Sequence, residues 1–244
     1  MHQLRNARLI PGTESPAGDG ITGAMRCVIE DNQGKKQAAV LKTGSLKEIA
    51  AEAAASLLLS GWGLPVPQPF LVLRGNDLCF ASADAGYPNL KKRLNWDHAL
   101  PEAKAALEAI AFALVCKFPS MPLATACDEV IDNRDRNLGN ILWDGQDEVW
   151  IDHAYSFGVG NHPSMNKLCV MAVAAGATDE VQRGALAASM ALDRMLPDKV
   201  EEQLHGTAVD MPELLTTVSN KLSAIGASLL ARFPQPADLF GQAK

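Results

Sequence analysis

In the first third of the chain, the distribution of hydrophobic and polar residues indicates a series of short strands. Apolar runs of four to seven residues are separated there by polar or glycine-containing turns, which is typical of β-strands. We expect strands at 8–10, 24–30, 37–42, 69–74 and 78–82, with the second and third paired as a hairpin. One helix interrupts them: Ser45 and Glu48 have capping-box spacing before an Ala- and Leu-rich run that Gly61 ends.

Beyond about residue 88 the apolar residues recur at helical spacing. Helices are predicted at 101–118, 165–175, 178–195 and 211–232, with two short strands at 140–143 and 148–151. The pattern predicts an α+β protein in two units. Residues 1–84 would form a small lobe with an antiparallel sheet and one helix, and residues 85–244 a larger helical lobe.

Composition narrows the possible functions. The chain has 244 residues, of which 48% are hydrophobic, enough for a sizeable core. A formal net charge of −6 argues against general nucleic-acid binding, which needs a basic surface. We expect no signal peptide and no membrane span, because no apolar run approaches about 20 residues. Five cysteines without paired spacing are typical of reduced thiols, so a cytoplasmic location is expected.

The most informative segment for chemistry runs from residue 132 to residue 152. Asp135 and Asn140 lie five positions apart, and Asp152 ends the next apolar strand. Phosphoryl transfer requires a group that orients a hydroxyl and oxygen ligands that hold Mg²⁺ on the phosphates. Asp135 is the candidate for the first role, and Asn140 and Asp152 are the candidate metal ligands. The segment therefore predicts a phosphotransferase that uses ATP and Mg²⁺, with 132–140 as its catalytic loop.

A simpler interpretation of this segment is an Asx-rich turn that caps a strand. Against it, Asp152 follows Val-Trp-Ile, and an unused carboxylate at a buried strand end would be costly. For Asp132 a loop-fixing role and a catalytic role both stay open. Arg136 would either bind a phosphate or stack within the loop, and His153 is more simply structural.

A glycine-rich turn is a second candidate element. Gly18, Gly20 and Gly23 fit the pattern G-x-G-x-x-G between two predicted strands, a position that suits a loop covering ATP phosphates. Glycines also cluster in ordinary turns, and the acidic Asp19 is an unfavourable neighbour for phosphate. Both interpretations stay open.

Lys42 ends the apolar strand Ala38-Ala39-Val40-Leu41, as the lysine of the kinase V-A-I-K strand does. A carboxylate from the following helix normally positions such a lysine. Glu52 is the better candidate because it lies within the Ala-rich run, where an unpaired acid would be costly. Glu48 is already explained as a helix cap.

The residues named above occur together with Gly-Leu-Pro-Val-Pro at 63–67 and with the N-x-D-R-x-x-x-N form of 133–140. In this combination the chain resembles HipA-like serine/threonine kinases. That family is related to the phosphoinositide 3/4-kinase branch of the kinase fold. The resemblance implies a two-lobed protein kinase-like fold, ATP with Mg²⁺, and phosphorylation of a protein serine or threonine. Asn137 departs from the histidine usual in the family. A toxin role is not implied, and an antitoxin-type partner is possible without being implied.

Some relatives silence themselves by phosphorylating a serine near the phosphate loop. Thr13 and Ser15 are the corresponding candidates, although both are well explained as turn residues.

Two other functions stay open. A small-molecule or lipid-headgroup kinase would use the same Asp, Asn and Asp spacing, and no A-P-E-like segment follows Asp152 to support a protein substrate. An inactive nucleotide-binding module is the other alternative. Four intact residues argue against it: Asp135, Asn140, Asp152 and Lys42.

Overall fold

The computed structural model describes residues 1–18 and 23–235. It is a mixed α/β structure in which a six-stranded sheet comes first and helices follow. The strands of this sheet are β1 (Arg5–Leu9), β2 (Ser15–Pro16), β3 (Met25–Asp31), β4 (Lys36–Lys42), β5 (Pro69–Arg74) and β6 (Asp77–Ala83).

The sheet is curved into a ring. Its strand order is β1-β5-β6-β4-β3-β2, and an additional pairing of β1 with β3 joins the two sides. The expected antiparallel sheet needs one correction, because β1 runs parallel to β5. Small and β-branched side chains fill the ring interior, including Cys27, Ile29, Ala39, Val72 and Ala81.

The helix α1 (Leu46–Gly61) follows β4 directly. Its first turn has the expected capping box, in which Ser45 Oγ accepts from the Glu48 amide and Glu48 Oε2 accepts from the Ser45 amide. Residues 49–59 are all buried, because alanine and leucine let the helix pack against both the sheet and the later helices. Glu52 therefore lies in an apolar environment and is only 3% exposed.

Between residue 84 and residue 235 the regular elements are helices and one short hairpin. These elements are α2 (Leu90–Arg93), α3 (Pro101–Val115), α4 (Met121–Val130), β7 (Ile141–Trp143), β8 (Glu148–Trp150), α5 (Lys167–Ala174), α6 (Thr178–Ala191), α7 (Leu196–Leu204) and α8 (Pro212–Arg232). The helix α4 packs against α5, α6 and α8, so it forms the centre of this part of the structure. Residues 132–140, the predicted catalytic loop, begin where α4 ends.

Three helices were absent from the sequence prediction: the single turn α2, and the longer α4 and α7. Pro119 and Pro122 follow the helix predicted at 101–118, but Pro122 lies in the first turn of α4. Pro197 has the same position in α7. A proline in the first turn loses no helical hydrogen bond, so it favours a helix start as much as a helix stop.

All five cysteines are free thiols. In the two described stretches of the chain, no helix combines the length and the apolar character needed to cross a membrane.

Candidate active site

Arg136 organises the catalytic-loop segment from inside the protein. Its side chain is fully buried, and its guanidinium donates to both carboxylate oxygens of Asp128 on α4, each at 2.9 Å. The same group donates to the carbonyls of Ile151 at 2.8 Å and Asn140 at 3.3 Å. It therefore ties the loop to α4 and to the segment after β8. Of the two roles left open for Arg136, this burial supports the structural one and excludes phosphate contact in this conformation.

The backbone of Asp135 is held by three amide side chains. Its carbonyl accepts from Asn137 Nδ2 at 3.0 Å and from Asn140 Nδ2 at 2.9 Å, and its amide donates to Asn133 Oδ1 at 3.2 Å. The carboxylate itself is partly exposed and accepts from Lys167 Nζ at 3.0 Å. Asp135 thus has a fixed backbone and a partly exposed carboxylate.

Asn140 and Asp152 come together through the main chain. The Ile151 amide donates to the Asn140 carbonyl at 3.1 Å, which brings the residue after Ile151 beside the loop. Asp152 has a left-handed backbone with φ of +63°. For a residue other than glycine this conformation costs on the order of 1 kcal/mol, so surrounding contacts must hold it.

Lys42 provides one of those contacts. Its ammonium group donates to Asp152 Oδ1 at 3.0 Å and also to Glu52 Oε1. The other oxygen of Glu52 accepts from the His153 amide at 3.0 Å. The three residues proposed from sequence for nucleotide and metal binding therefore form one connected group between β4, α1 and the end of β8.

Burial and the neighbouring charges shift the pKa values of these three residues in opposite directions. Burial by itself lowers the pKa of Lys42, but Glu52 and Asp152 outweigh it, so the pKa is raised and the lysine stays charged. Burial raises the pKa of Asp152, yet Lys42 and Arg136 reverse that effect and the net pKa is lowered. For Glu52 burial dominates and its pKa is raised.

His153 is buried next to these charges. Burial lowers its pKa well below the ordinary value, and the positive charges of Arg136 and Lys42 lower it further. Its Nδ1 lies 3.3 Å from the Arg136 guanidinium, a contact that requires an unprotonated nitrogen. The histidine is therefore neutral and structural, as the simpler interpretation of the sequence had it.

The donor set suits a cation that is shared with a phosphate ligand. Asn140 uses its amide nitrogen on Asp135, which leaves its side-chain carbonyl oxygen available, and Asp152 adds a carboxylate. Mg²⁺ is commonly held by one or two such oxygens together with phosphates and waters. Across residues 1–18 and 23–235 no cluster of three or more His, Cys, Asp or Glu side chains could hold a metal by itself.

The glycine-rich turn lies between β2 and β3. Gly20 is outside the described residues, whereas Gly18 and Gly23 have φ of +131° and +63°, which favour glycine. The Ala17 amide donates to the Ala24 carbonyl at 3.0 Å and so closes the base of the turn. The backbone thus explains Gly18 and Gly23 as turn residues, and their contact with phosphates stays a prediction.

Several other polar residues have structural partners. Asp132 accepts from Arg134 at 2.7 Å and from Lys221 of α8 at 3.1 Å, and these contacts lower its pKa although burial would raise it. The hydroxyl of Thr13 donates to the Ile10 carbonyl and accepts from the Val28 amide. Asp132 therefore connects the loop to α8, and Thr13 stabilises the turn between β1 and β2.

Sequence reasoning missed Lys167. It lies 32 positions after Asp135 and was included only as part of a predicted helix. The available signal was a lysine at a helix start, where a positive charge opposes the helix dipole.

A cleft opens beside Lys42, Glu52 and Asp152, which lie on its wall. The end of β4, the first turns of α1, Ala154 and Tyr155 form the rest of its lining together with Phe80. The site is thus open to a ligand from the side on which the carboxylates converge.

No protein-family model matches the chain, and no curated protein sequence matches it. Solved structures do match. The Helicobacter pylori proinflammatory kinase CtkA superposes with a TM-score of 0.59 at 12% identity, over 92% of this chain and 96% of CtkA. HipA of Shewanella oneidensis MR-1, solved with HipB and its operator DNA, gives a TM-score of 0.52 at 11% identity, over 92% of this chain and 68% of that one.

CtTel1 in its open conformation gives a TM-score of 0.50 at 14% identity, over 88% of this chain but only 12% of its own length. At these identities the likeness shows the fold and nothing finer. The chain has a kinase-like fold, and its clustered Lys42, Glu52 and Asp152 lie in that fold beside the loop that carries Asp135.

Proposed function

We propose that the protein is an ATP-dependent phosphotransferase, specifically a HipA-like protein serine/threonine kinase. One observation carries this proposal: Lys42, Glu52 and Asp152 converge beside the loop that presents Asp135 and Asn140. In this proposal the ring-shaped sheet with α1 is the nucleotide-binding lobe of a two-lobed kinase. The helical part is then the lobe that carries the catalytic loop.

Each residue has a defined task in this mechanism. Lys42 holds the nucleotide phosphates, and Glu52 keeps its ammonium group in place. Asn140 and Asp152 hold Mg²⁺, which when bound neutralises phosphate charge. Asp135 orients the attacking hydroxyl and accepts its proton as the oxygen bonds to the γ-phosphorus. The turn around Gly18 and Gly23 covers the phosphates.

Lys42 forms an ion pair with Asp152, so in this proposal the pair opens when Lys42 moves to the phosphates of a bound nucleotide. Glu52 stays available to Lys42 throughout, because its second oxygen is anchored by the His153 amide. The lysine can therefore turn toward phosphate without losing its own carboxylate partner. This is the arrangement that a phosphate-binding lysine requires, since an unpaired buried ammonium would be costly.

A kinase for small molecules or lipid headgroups is the second candidate. Only residues 153–166 separate Asp152 from α5, which leaves little chain for a protein-substrate platform. The HipA-like form of residues 133–140 favours the protein-kinase proposal, and the short segment favours the alternative. The two are separated by the acceptor that becomes phosphorylated.

The test is phosphate transfer from Mg-ATP, followed by mass spectrometry of the protein itself and of a generic protein acceptor. We expect Asp135→Asn to lower turnover by roughly 10²- to 10⁴-fold, the range for loss of a general base. Asp193→Asn is the matched control, because Asp193 also pairs with a lysine, at 2.8 Å, on an exposed surface outside the cleft.

Unchanged turnover in Asp135→Asn would show that the catalytic assignment is wrong. Transfer only to small hydroxyl compounds would replace the protein-kinase proposal by its alternative. If wild-type protein binds Mg-ATP but transfers no phosphate to either kind of acceptor, an inactive nucleotide-binding module is the correct description.

A further inference from the structure

Lys167 makes the one ion pair recorded for the Asp135 carboxylate among residues 1–18 and 23–235. Its Nζ lies 3.0 Å from Asp135 Oδ1, with the two side chains 32% and 27% exposed. Both groups therefore face accessible space rather than the core. A substrate hydroxyl that approaches Asp135 would enter that same space.

The position of Lys167 is determined by its neighbour Asn166. Asn166 is buried and caps α5, since its Oδ1 accepts from the Leu168 amide at 3.1 Å. Its Nδ2 donates to the Thr125 carbonyl of α4 at 2.9 Å. Because α4 also leads into the catalytic loop, the start of α5 and Asp135 are built on the same helix.

The chain just before α5 is held as well. Arg232 of α8 forms an ion pair with Glu129 of α4 at 2.9 Å and donates to the Ser164 carbonyl at 2.9 Å. Residues 164–167 are therefore supported on two sides. Lys167 therefore extends from a well-supported backbone.

Helix stability does not account for a lysine at this position. A positive charge in the first turn opposes the helix dipole and is unfavourable there. The Asp135 carboxylate offsets this effect, so the lysine is explained by its contact with the catalytic loop.

The two arginines of the loop pair with other residues. Arg136 is fully buried against Asp128, and Arg134 bonds Asp132 and the His162 carbonyl. Among residues 1–18 and 23–235, neither guanidinium forms an ion pair with Asp135, and Lys42 pairs with Asp152 and Glu52.

We propose that Lys167 is a further catalytic residue, which holds Asp135 before reaction and contacts the γ-phosphoryl group of ATP during transfer. This inference rests on the proposed function. In the step, the substrate oxygen forms a bond to the γ-phosphorus while the bond to the β–γ bridging oxygen breaks. The bond electrons leave with ADP, and the hydroxyl proton passes to Asp135.

Geometry supports contact in the transition state. The attacking oxygen must lie within hydrogen-bond reach of Asp135 and close to the γ-phosphorus. An ammonium group 3.0 Å from that carboxylate is therefore within reach of the non-bridging phosphoryl oxygens. Charge on these oxygens is stabilised most effectively by a donor that is already in place.

The experiment compares Lys167→Met, Lys167→Gln and Lys167→Arg, with Lys199→Met as the matched control. Lys199 is an exposed lysine that pairs with Asp193 away from the cleft. We expect the Met and Gln variants to lose about 10²-fold in kcat, with little change in the KM for ATP. The Arg variant should recover part of this loss. Melting temperatures should match wild type, because Lys167 is partly exposed.

Two results would overturn the inference while the proposed function stands. One is a kcat within about threefold of wild type for both neutral variants, in a protein whose Asp135→Asn form is inactive. The other is a kcat above wild type, which would make Lys167 an inhibitory partner of Asp135. If wild type itself transfers no phosphate, the proposed function fails and this inference fails with it.

Discussion

The ammonium group of Lys42 lies 3.0 Å from the carboxylate of Asp152, although the two residues are 110 positions apart in the chain. The same ammonium group donates to Glu52, whose second oxygen accepts from the His153 amide. One lysine therefore connects the end of β4, the middle of α1 and the segment after β8. Changes at any of these residues should affect nucleotide binding and turnover together.

Replacing Lys42 with methionine should lower kcat by about 10²- to 10³-fold, because a positive donor to the phosphates is lost. Glu52→Gln should act in the same direction with a smaller effect, since the lysine would remain but lose its positioning partner. The double variant should be less impaired than the two separate losses predict, because both residues serve one function. The measurement is steady-state ATP turnover of all three variants.

Lys47→Met is the control for this series, since Lys47 is an exposed lysine on the same helix. It should retain wild-type turnover. Additive losses at Lys42 and Glu52 would contradict the assignment of the pair to one task.

Asp152→Asn should raise the Mg²⁺ concentration needed for half-maximal turnover by at least about tenfold, because a carboxylate ligand becomes neutral. Chelating the divalent cation with EDTA should abolish transfer in wild type. A magnesium titration at saturating ATP checks both expectations. Asp147→Asn, in the exposed turn between β7 and β8, should leave the titration unchanged. A wild-type magnesium requirement in Asp152→Asn would rule out Asp152 as a ligand.

Arg136→Met should destabilise the protein by roughly 3–5 kcal/mol, because it leaves the buried Asp128 carboxylate without its partner. The free energy of unfolding from denaturant titration measures this loss. Arg8→Met is a suitable comparison, since Arg8 pairs with Glu30 at 2.8 Å on the surface, where a pair contributes at most about 1 kcal/mol. Equal losses in the two variants would contradict the structural role of Arg136.

The buried His153 should make stability depend on pH below about 6.5. Its folded-state pKa is lowered, so below the ordinary value of about 6.5 the unfolded state binds a proton that the folded state does not. Stability is thus fully present above that pH and falls as the pH drops toward the folded pKa, by up to about 1.4 kcal/mol per pH unit.

His153→Asn keeps a hydrogen-bond acceptor for Arg136 but cannot titrate, so its stability should be less sensitive to pH between about 6.5 and 5. Denaturant unfolding at several pH values measures the two slopes. His205→Asn, at a histidine whose side chain is 84% exposed, is the comparison variant for loss of an imidazole at the surface. An unchanged slope in His153→Asn would show that another group controls the acid response.

Local signals in the sequence accounted for most of the secondary structure. The β3–β4 hairpin, the capped helix α1 and the β5–β6 hairpin follow from alternation, a capping box and turn residues, which act over a few positions. The helices α4 and α7 were not predicted, and Pro122 and Pro197 lie in their first turns, where proline marks a helix start. The pairing of β1 with both β5 and β3, which closes the sheet, was not predicted either, since it joins residues that are distant in sequence.

The sequence by itself determined the candidate residues Lys42, Glu52, Asp135, Asn140 and Asp152, because their spacing to strands and helices is a local property. Only the tertiary structure decided that Arg136 is a buried structural cation and that Lys167 reaches Asp135. Burial and ion pairing depend on which distant segments pack together, here α4 against the catalytic loop and α5. No local pattern in a single chain contains that information.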